Sequence, residues 1–246
     1  MRESGRLLVV AVFAVAALTG CATVAELPDV SEAEPAPSWV PPVAAPQAAS
    51  ERGPGIAGRV DADWLSEVSA ATGIPGRQLA AYAGVTLWKN AEMPECVVSW
   101  TTLAAIAAVE SDHGRHGGSS VGADGRVSPP IIGIALEGGD TDLISDSDGG
   151  ELDGDAEFDR AVGPFQLIPQ TWRNWHVDAN GDGVEDPQNI DDAAMAAVNY
   201  LCRASAPQDT EAGWRAAITA YNSAPSYIDA VARIAASYAA AASGED

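Results

Sequence analysis

Apolar and polar positions divide the chain into three unlike stretches. The first, residues 7–18, is an apolar run preceded by Arg2 and Arg6. It is too short for an ordinary membrane-spanning helix and has the basic flank and apolar centre of an export signal. The second, residues 22–59, is rich in Pro, Ala and acid. It has no apolar period and cannot bury a core, so an extended tether is expected. The third begins near Val60 and is helical in pattern. "DADWLSEVSAATG" opens on Asp61, groups Trp64, Leu65 and Val68, and stops at Gly73, as a capped helix does. Residues 74–91 put Leu79, Tyr82 and Ala83 on one side of a second helix, and residues 99–114 form a third, ended by Gly114. Residues 117–160 are rich in Gly, Asp and Ser and read as a long irregular loop. "PQTWRNWH" is a short helix with Pro169 near its start. "DDAAMAAVNYLCRA" is another, with acids in its first turn. "EAGWRAAITAYN" and "SYIDAVARIAASYAAAA" complete the set. No segment alternates convincingly as a strand. A mainly α domain over residues 60–246 is predicted, with a long irregular insertion of the kind that is usually functional or disordered.

Charge narrows the partners. The net charge of −22 argues against nucleic acid, which needs a basic surface. It argues equally against electrostatic attraction to anionic lipid, and it suits a cation or a neutral substrate. "LTGC", residues 18–21, resembles the lipobox of bacterial lipoproteins. That resemblance implies a signal peptide at 1–20, cleavage before Cys21 and a lipid on Cys21, with 21–59 as lipidated N-terminus and tether. The protein is then exported, held to the bacterial cell membrane and facing the wall. Once Cys21 is set aside, Cys96 and Cys202 remain. In an exported protein they are the natural disulfide, with two separate buried thiols as the alternative. The bond would close a loop of about a hundred residues, worth about 4–5 kcal/mol in the chain-entropy view.

The third helix carries the candidate chemistry. Leu103, Ile106, Ala107 and Glu110 follow at i, i+3, i+4 and i+7, so Glu110 continues an apolar stripe. Desolvation there raises a carboxyl pKa. An acid still protonated near neutral pH can donate to a leaving oxygen. The alternative is a helix-end glutamate turned to solvent. His113 and His116 lack the third convergent ligand that a zinc site needs and read as loop residues.

Four stretches then resemble one family in order. "VESDHGRHGG" (109–118) is similar to the Glu-Ser motif of lytic transglycosylases. "AVGPFQLIPQTW" (161–172) resembles their Gly-Pro-(Met/Phe)-Gln-Phe-Ile-Pro-x-Thr-Trp segment, with Phe165 and Leu167 as apolar departures. "AYNSAPSYIDAV" (220–231) resembles their Tyr-Asn motif, and "IPGRQLAAY" (74–82) a helix near the start of their domain. The combination, over about 61–240, resembles the membrane-bound lytic transglycosylase B-like branch. The resemblance implies a lysozyme-like helical fold and a peptidoglycan glycan substrate. It implies that Glu110 protonates the bond between N-acetylmuramic acid and N-acetylglucosamine, then acts as base while the muramyl 6-hydroxyl closes onto C1. Ordinary glycosidases instead use two carboxylates. By the same resemblance Ser111 orients the acid or contacts sugar, Gln166 hydrogen-bonds an acetamido or hydroxyl group in the cleft, Asn222 holds the Tyr–Asn turn or a sugar, and Tyr221 positions Glu110. The protein is expected to act as a monomer.

"DANGDGVEDPQNIDD", residues 178–192, is a separate signal. Asp178, Asn180 and Asp182 stand at positions 1, 3 and 5 of an EF-hand-like loop, with Gly183 at 6 and the Val184 carbonyl at 7. Asn189 replaces the usual Glu at 12. The family resemblance implies closure at position 15, by Asp192, and a structural calcium. An acidic solvated turn is the alternative. "DSDGGELDGD", 146–155, reads as a substrate-side loop or solvated face, with a second cation site as the further alternative. The competing functions are a muramidase-type hydrolase and a non-enzymatic, calcium-dependent wall-binding lipoprotein.

Overall fold

The structure is a computed structural model that describes Trp39, residues 43–139 and residues 141–244. The export signal and Cys21 lie outside the described residues. Seven helices are present among the described residues: α1 (Ala62–Thr72), α2 (Gly76–Glu92), α3 (Trp100–Ser111), α4 (Pro169–Trp175), α5 (Ile190–Ala204), α6 (Glu211–Tyr221) and α7 (Pro225–Ser243). Each lies where the helical pattern places it, and the ends have local causes. Asp61 accepts from the amides of Asp63 and Trp64 to start α1, and Gly73, with φ 73°, ends it. Pro169 and Pro225 occupy the first turns of α4 and α7. Asn189 caps α5 by accepting from the Asp191 amide. No described helix is long and apolar enough to cross a membrane.

Helix α3 is the centre of the fold. Residues 100–107 are all buried, so this helix is covered on every side instead of along one stripe as its spacing suggested. A helix that is apolar all round belongs inside a core. Helix α7 lies along α3, and α2 packs on both α3 and α5. The core joins Leu79, Tyr82, Trp100, Ile106, Phe165 and Ile218, among others.

The insertion is more ordered than its composition suggests. It contains β1 (Ser120–Val121), β2 (Val127–Ser128), β3 (Ile132–Ala135) and β4 (Arg160–Val162). β1 pairs antiparallel with β2, and β3 with β4 through Ile132↔Val162 and Ala135↔Arg160. The domain is mainly α, as expected, and these strands refine only the reading of the insertion as irregular. At two to four residues each, they are too short to display an alternating period. Isolated bridges Glu137↔Leu143 and Ser145↔Phe158 fold the rest of the insertion back on itself.

Packing also begins before residue 60. Ile56 is buried in the core cluster, Ala48 bridges to Val60, and the Ile56 amide donates to the Ala179 carbonyl. The described end of the expected tether is thus part of the packed domain.

Cys96, between α2 and α3, is bonded to Cys202 near the end of α5, with Cα atoms 5.6 Å apart. The bond spans 106 residues and ties the two long helices to one another. Cys96→Ser with Cys202→Ser should lower unfolding free energy in urea by about 2–5 kcal/mol. An unchanged midpoint would show that the packed helices need no such tie.

Candidate active site

Glu110 occupies the last turn of α3, where the helix emerges from the core. Its carboxylate oxygen Oε1 accepts a hydrogen bond of 2.6 Å from the Tyr227 hydroxyl, in the first turn of α7. Burial pushes the Glu110 carboxyl up to about 7, and the Tyr227 hydrogen bond opposes this only in part. Burial, and then the neighbouring Glu110 charge, hold the Tyr227 hydroxyl far above its ordinary range, so Tyr227 remains a donor. With Oε1 occupied, Oε2 is the oxygen free to carry the acid proton.

Tyr221 does not touch Glu110 directly. It stacks on Tyr227 with ring centroids 6.4 Å apart and planes 8° from parallel. Its hydroxyl donates to the Phe165 carbonyl at 2.6 Å. That bond fixes the peptide leading into Gln166. The Tyr227 role was not assigned from sequence. The signal was there, in the second tyrosine of "AYNSAPSYIDAV", six residues after Tyr221.

Glu110, Gln166, Tyr221 and Asn222 line one cleft of about 330 Å³, together with Asp142 and Ile144 from the insertion. Gln166 sits at φ 44°, a left-handed conformation that costs a non-glycine residue roughly 1–3 kcal/mol. The Gly163 turn sets it there. A Cβ at Gly163 would lie 1.8 Å from the Pro187 carbonyl oxygen, so only glycine fits. The Gln166 amide donates to the Gly163 carbonyl at 3.0 Å. Across from it, a Cβ on Gly133 of β3 would lie 2.9 Å from Gln166 Oε1. Asn222 caps the end of α6, and its Oδ1 accepts from the Ala224 amide at 3.0 Å.

Ser111 is not brought to the cleft. It is buried, donates to the Pro164 carbonyl at 2.6 Å and accepts from the Gly114 amide at 2.9 Å. These bonds brace the end of α3, next to Glu110, against the Gly163–Pro164 turn. His113 lies in the turn after α3, as expected, and is buried. Its ring lies between the hydroxyls of Tyr82, at 3.2 Å, and Tyr238, at 2.9 Å. Burial, then the Arg115 charge, push it down to about 4, which keeps the imidazole neutral.

The loop at 178–192 winds around its acids. Asp178 accepts from the amides of Gly181, Asp182 and Gly183. Asn180 Oδ1 accepts from the Asp182 amide, and Val184 is exposed. Asp192 is buried, and its two oxygens accept from Ala179, Asn180 and Asp186. Burial raises its carboxyl to about 6. The donors are all oxygen, which fits calcium in kind. Yet the only three carboxylates among the described residues that converge within 4.8 Å are Asp146, Asp148 and Asp159 in the insertion. In the 178–192 loop, Asp192 closes the turn through backbone amides.

A carboxyl raised by burial binds its proton more tightly folded than unfolded, so stability falls as pH rises from about 4.3 through 7. Glu110→Gln keeps the Tyr227 acceptor and removes the charge. It should therefore be more stable than the wild type at pH 8 by about 1–3 kcal/mol, with the advantage gone below about pH 4. Urea titrations at both pH values check this, and an equal difference at both would place the carboxylate in solvent.

No curated protein and no solved structure matches the chain. Residues 88–242 match the family described as the Transglycosylase SLT domain. That stretch is more than half of the sequence, so the chain belongs to this family of peptidoglycan lytic transglycosylases, in the lysozyme-like superfamily, and is an enzyme whose substrate is peptidoglycan.

Proposed function

We propose that the protein is a lytic transglycosylase of the membrane-bound B-like branch, and that Glu110 serves first as acid and then as base. The observation that carries this is the Glu110–Tyr227 pair: a half-buried carboxyl raised to about 7 with one oxygen held and the other free. Protonated Glu110 gives its proton to the oxygen between N-acetylmuramic acid and N-acetylglucosamine, and the C1–O bond breaks. The muramyl 6-hydroxyl then bonds to C1 and returns its proton to Glu110. The product is a 1,6-anhydromuramyl end, and no water is consumed. Gln166 and Asn222, on the cleft wall, hydrogen-bond the sugars. Tyr221 acts on Glu110 through Tyr227, which makes both tyrosines positioning residues.

Digestion of purified cell wall followed by mass spectrometry tests this. The expected product is one water lighter than a hydrolytic one. Glu110→Gln should lose about 10²–10⁴-fold in kcat/KM with its fold intact, and wild-type activity should decline as pH rises through about 7. A hydrated product would instead favour the muramidase alternative, with Asp142 in the cleft as the carboxylate that activates water. Undiminished cleavage by Glu110→Gln would remove Glu110 from the chemistry altogether.

The oxygen-rich turn supports a structural calcium held by Asp178, Asn180, Asp182, the Val184 carbonyl and Asp192. The ion would pin the chain after α4 to the start of α5. Calcium at a hundred times its dissociation constant should add about 2.7 kcal/mol of stability, and Asp178→Asn should abolish the gain. An unfolding curve indifferent to calcium and to chelator counts against the ion. The motif ending in Cys21 supports a lipid anchor on an exported, monomeric protein facing the wall. Cys21→Ser should then leave the membrane fraction; if it stays there, the anchor lies elsewhere.

A further inference from the structure

In a chain with net charge −22, five of the ten described arginines are paired with an acid. Arg77 pairs with Asp191, Arg115 with Asp112, Arg126 with Asp186, Arg160 with Asp155 and Arg215 with Glu211. Arg52 and Arg59 have no ion-pair partner among the described residues. Both line a cavity of about 380 Å³ with Trp88, Asp178, Met195 and Asn199. It shares no lining residue with the Glu110 cleft.

The polar groups of this cavity are mostly donors. The half-buried Asn199 has its acceptor end taken: the Lys89 ammonium donates to Asn199 Oδ1 at 2.7 Å, which leaves the amide NH₂ to offer. The carboxylate in the wall, Asp178, is already met by the amides of Gly181, Asp182 and Gly183. Two guanidinium groups, with the Lys89 ammonium behind Asn199 and Trp88, face one carboxylate, so the wall is cationic and suits an anion. Guanidinium forks fit the two oxygens of a carboxylate, and the apolar part of the wall suits one carried on an apolar residue. Trp88 and Met195 supply an apolar surface for whatever carries the carboxylate.

We propose that this cavity is a second, non-catalytic substrate site that binds a carboxylate borne on a small apolar residue, its source being the peptide stems of peptidoglycan. The proposal rests on peptidoglycan being the substrate, and it is independent of how the glycan bond is broken. It gives the enzyme a grip on the peptide part of the polymer while the cleft holds the sugar part.

The test uses the full chain carrying Glu110→Gln, titrated by calorimetry with stem peptides released from peptidoglycan by an amidase. One-to-one binding is expected, weakened about tenfold or more by Arg52→Gln or Arg59→Gln, and equally by amidating the peptide carboxyls. Arg52 is exposed, so Arg52→Gln keeps the test valid should Arg59→Gln fail to fold. Acetate and inorganic phosphate form the control arms and should bind more weakly than the peptides. Peptides that bind both variants or the amidated form as well as the wild type overturn the proposal. So does acetate that matches the peptides, or no binding at all. In the Glu110-intact chain, both arginine variants should cleave glycan stripped of peptides at the wild-type rate, and a loss of rate there would place the arginines in the cleft's work and overturn the second site. The identity of the cleavage product is read separately, so the two proposals fail independently.

Discussion

The site depends on α7 being pressed against the end of α3. Only that packing brings the Tyr227 hydroxyl to 2.6 Å from Glu110 and covers the carboxyl enough to raise it. The buried faces of both helices carry small residues, Ala104, Ala105 and Ala107 on one, Ala232, Ala235 and Ala239 on the other. Small side chains let helix axes approach closely. A second tie lies three turns along α7, where Tyr238 meets His113, roughly 16 Å from Tyr227 at the helical rise. With α7 held at two points, the tyrosine beside the acid cannot rotate away by a simple roll of the helix.

Two carboxyls, Asp192 buried and Glu110 half-buried, show how desolvation alone does not decide a role. Glu110 and Asp192 are both raised by desolvation. Asp192 accepts backbone amides on both oxygens, which makes it a clasp for the turn. Glu110 accepts one hydroxyl and keeps an oxygen facing a cavity. The difference is the count of hydrogen bonds each receives, set by where the chain ends a helix or begins one.

Helix positions were legible in the sequence because each helix has its own period and stop signal. The start of the cleft was legible too, since Glu110, Gln166 and Tyr221 sit in short motifs. Three things were not. Strands of two to four residues leave no pattern, so β3 and β4, which carry one wall of the cleft, stayed hidden in a Gly- and Asp-rich stretch. The destination of a hydroxyl is a tertiary matter: nothing local says that Ser111 turns inward to Pro164, or that Tyr227 reaches Glu110 ahead of Tyr221. The burial of Ile56 was concealed by its Pro- and Gly-rich neighbours, since one apolar residue makes no period.

Gly133 and Gln166 have a joint consequence. A Cβ at position 133 would meet the far end of the Gln166 side chain at 2.9 Å and the Ala161 carbonyl oxygen at 3.3 Å. The first can swing aside and the second belongs to the backbone of β4, so the side chain is what yields. The room left at residue 133 therefore sets the direction in which the Gln166 amide points.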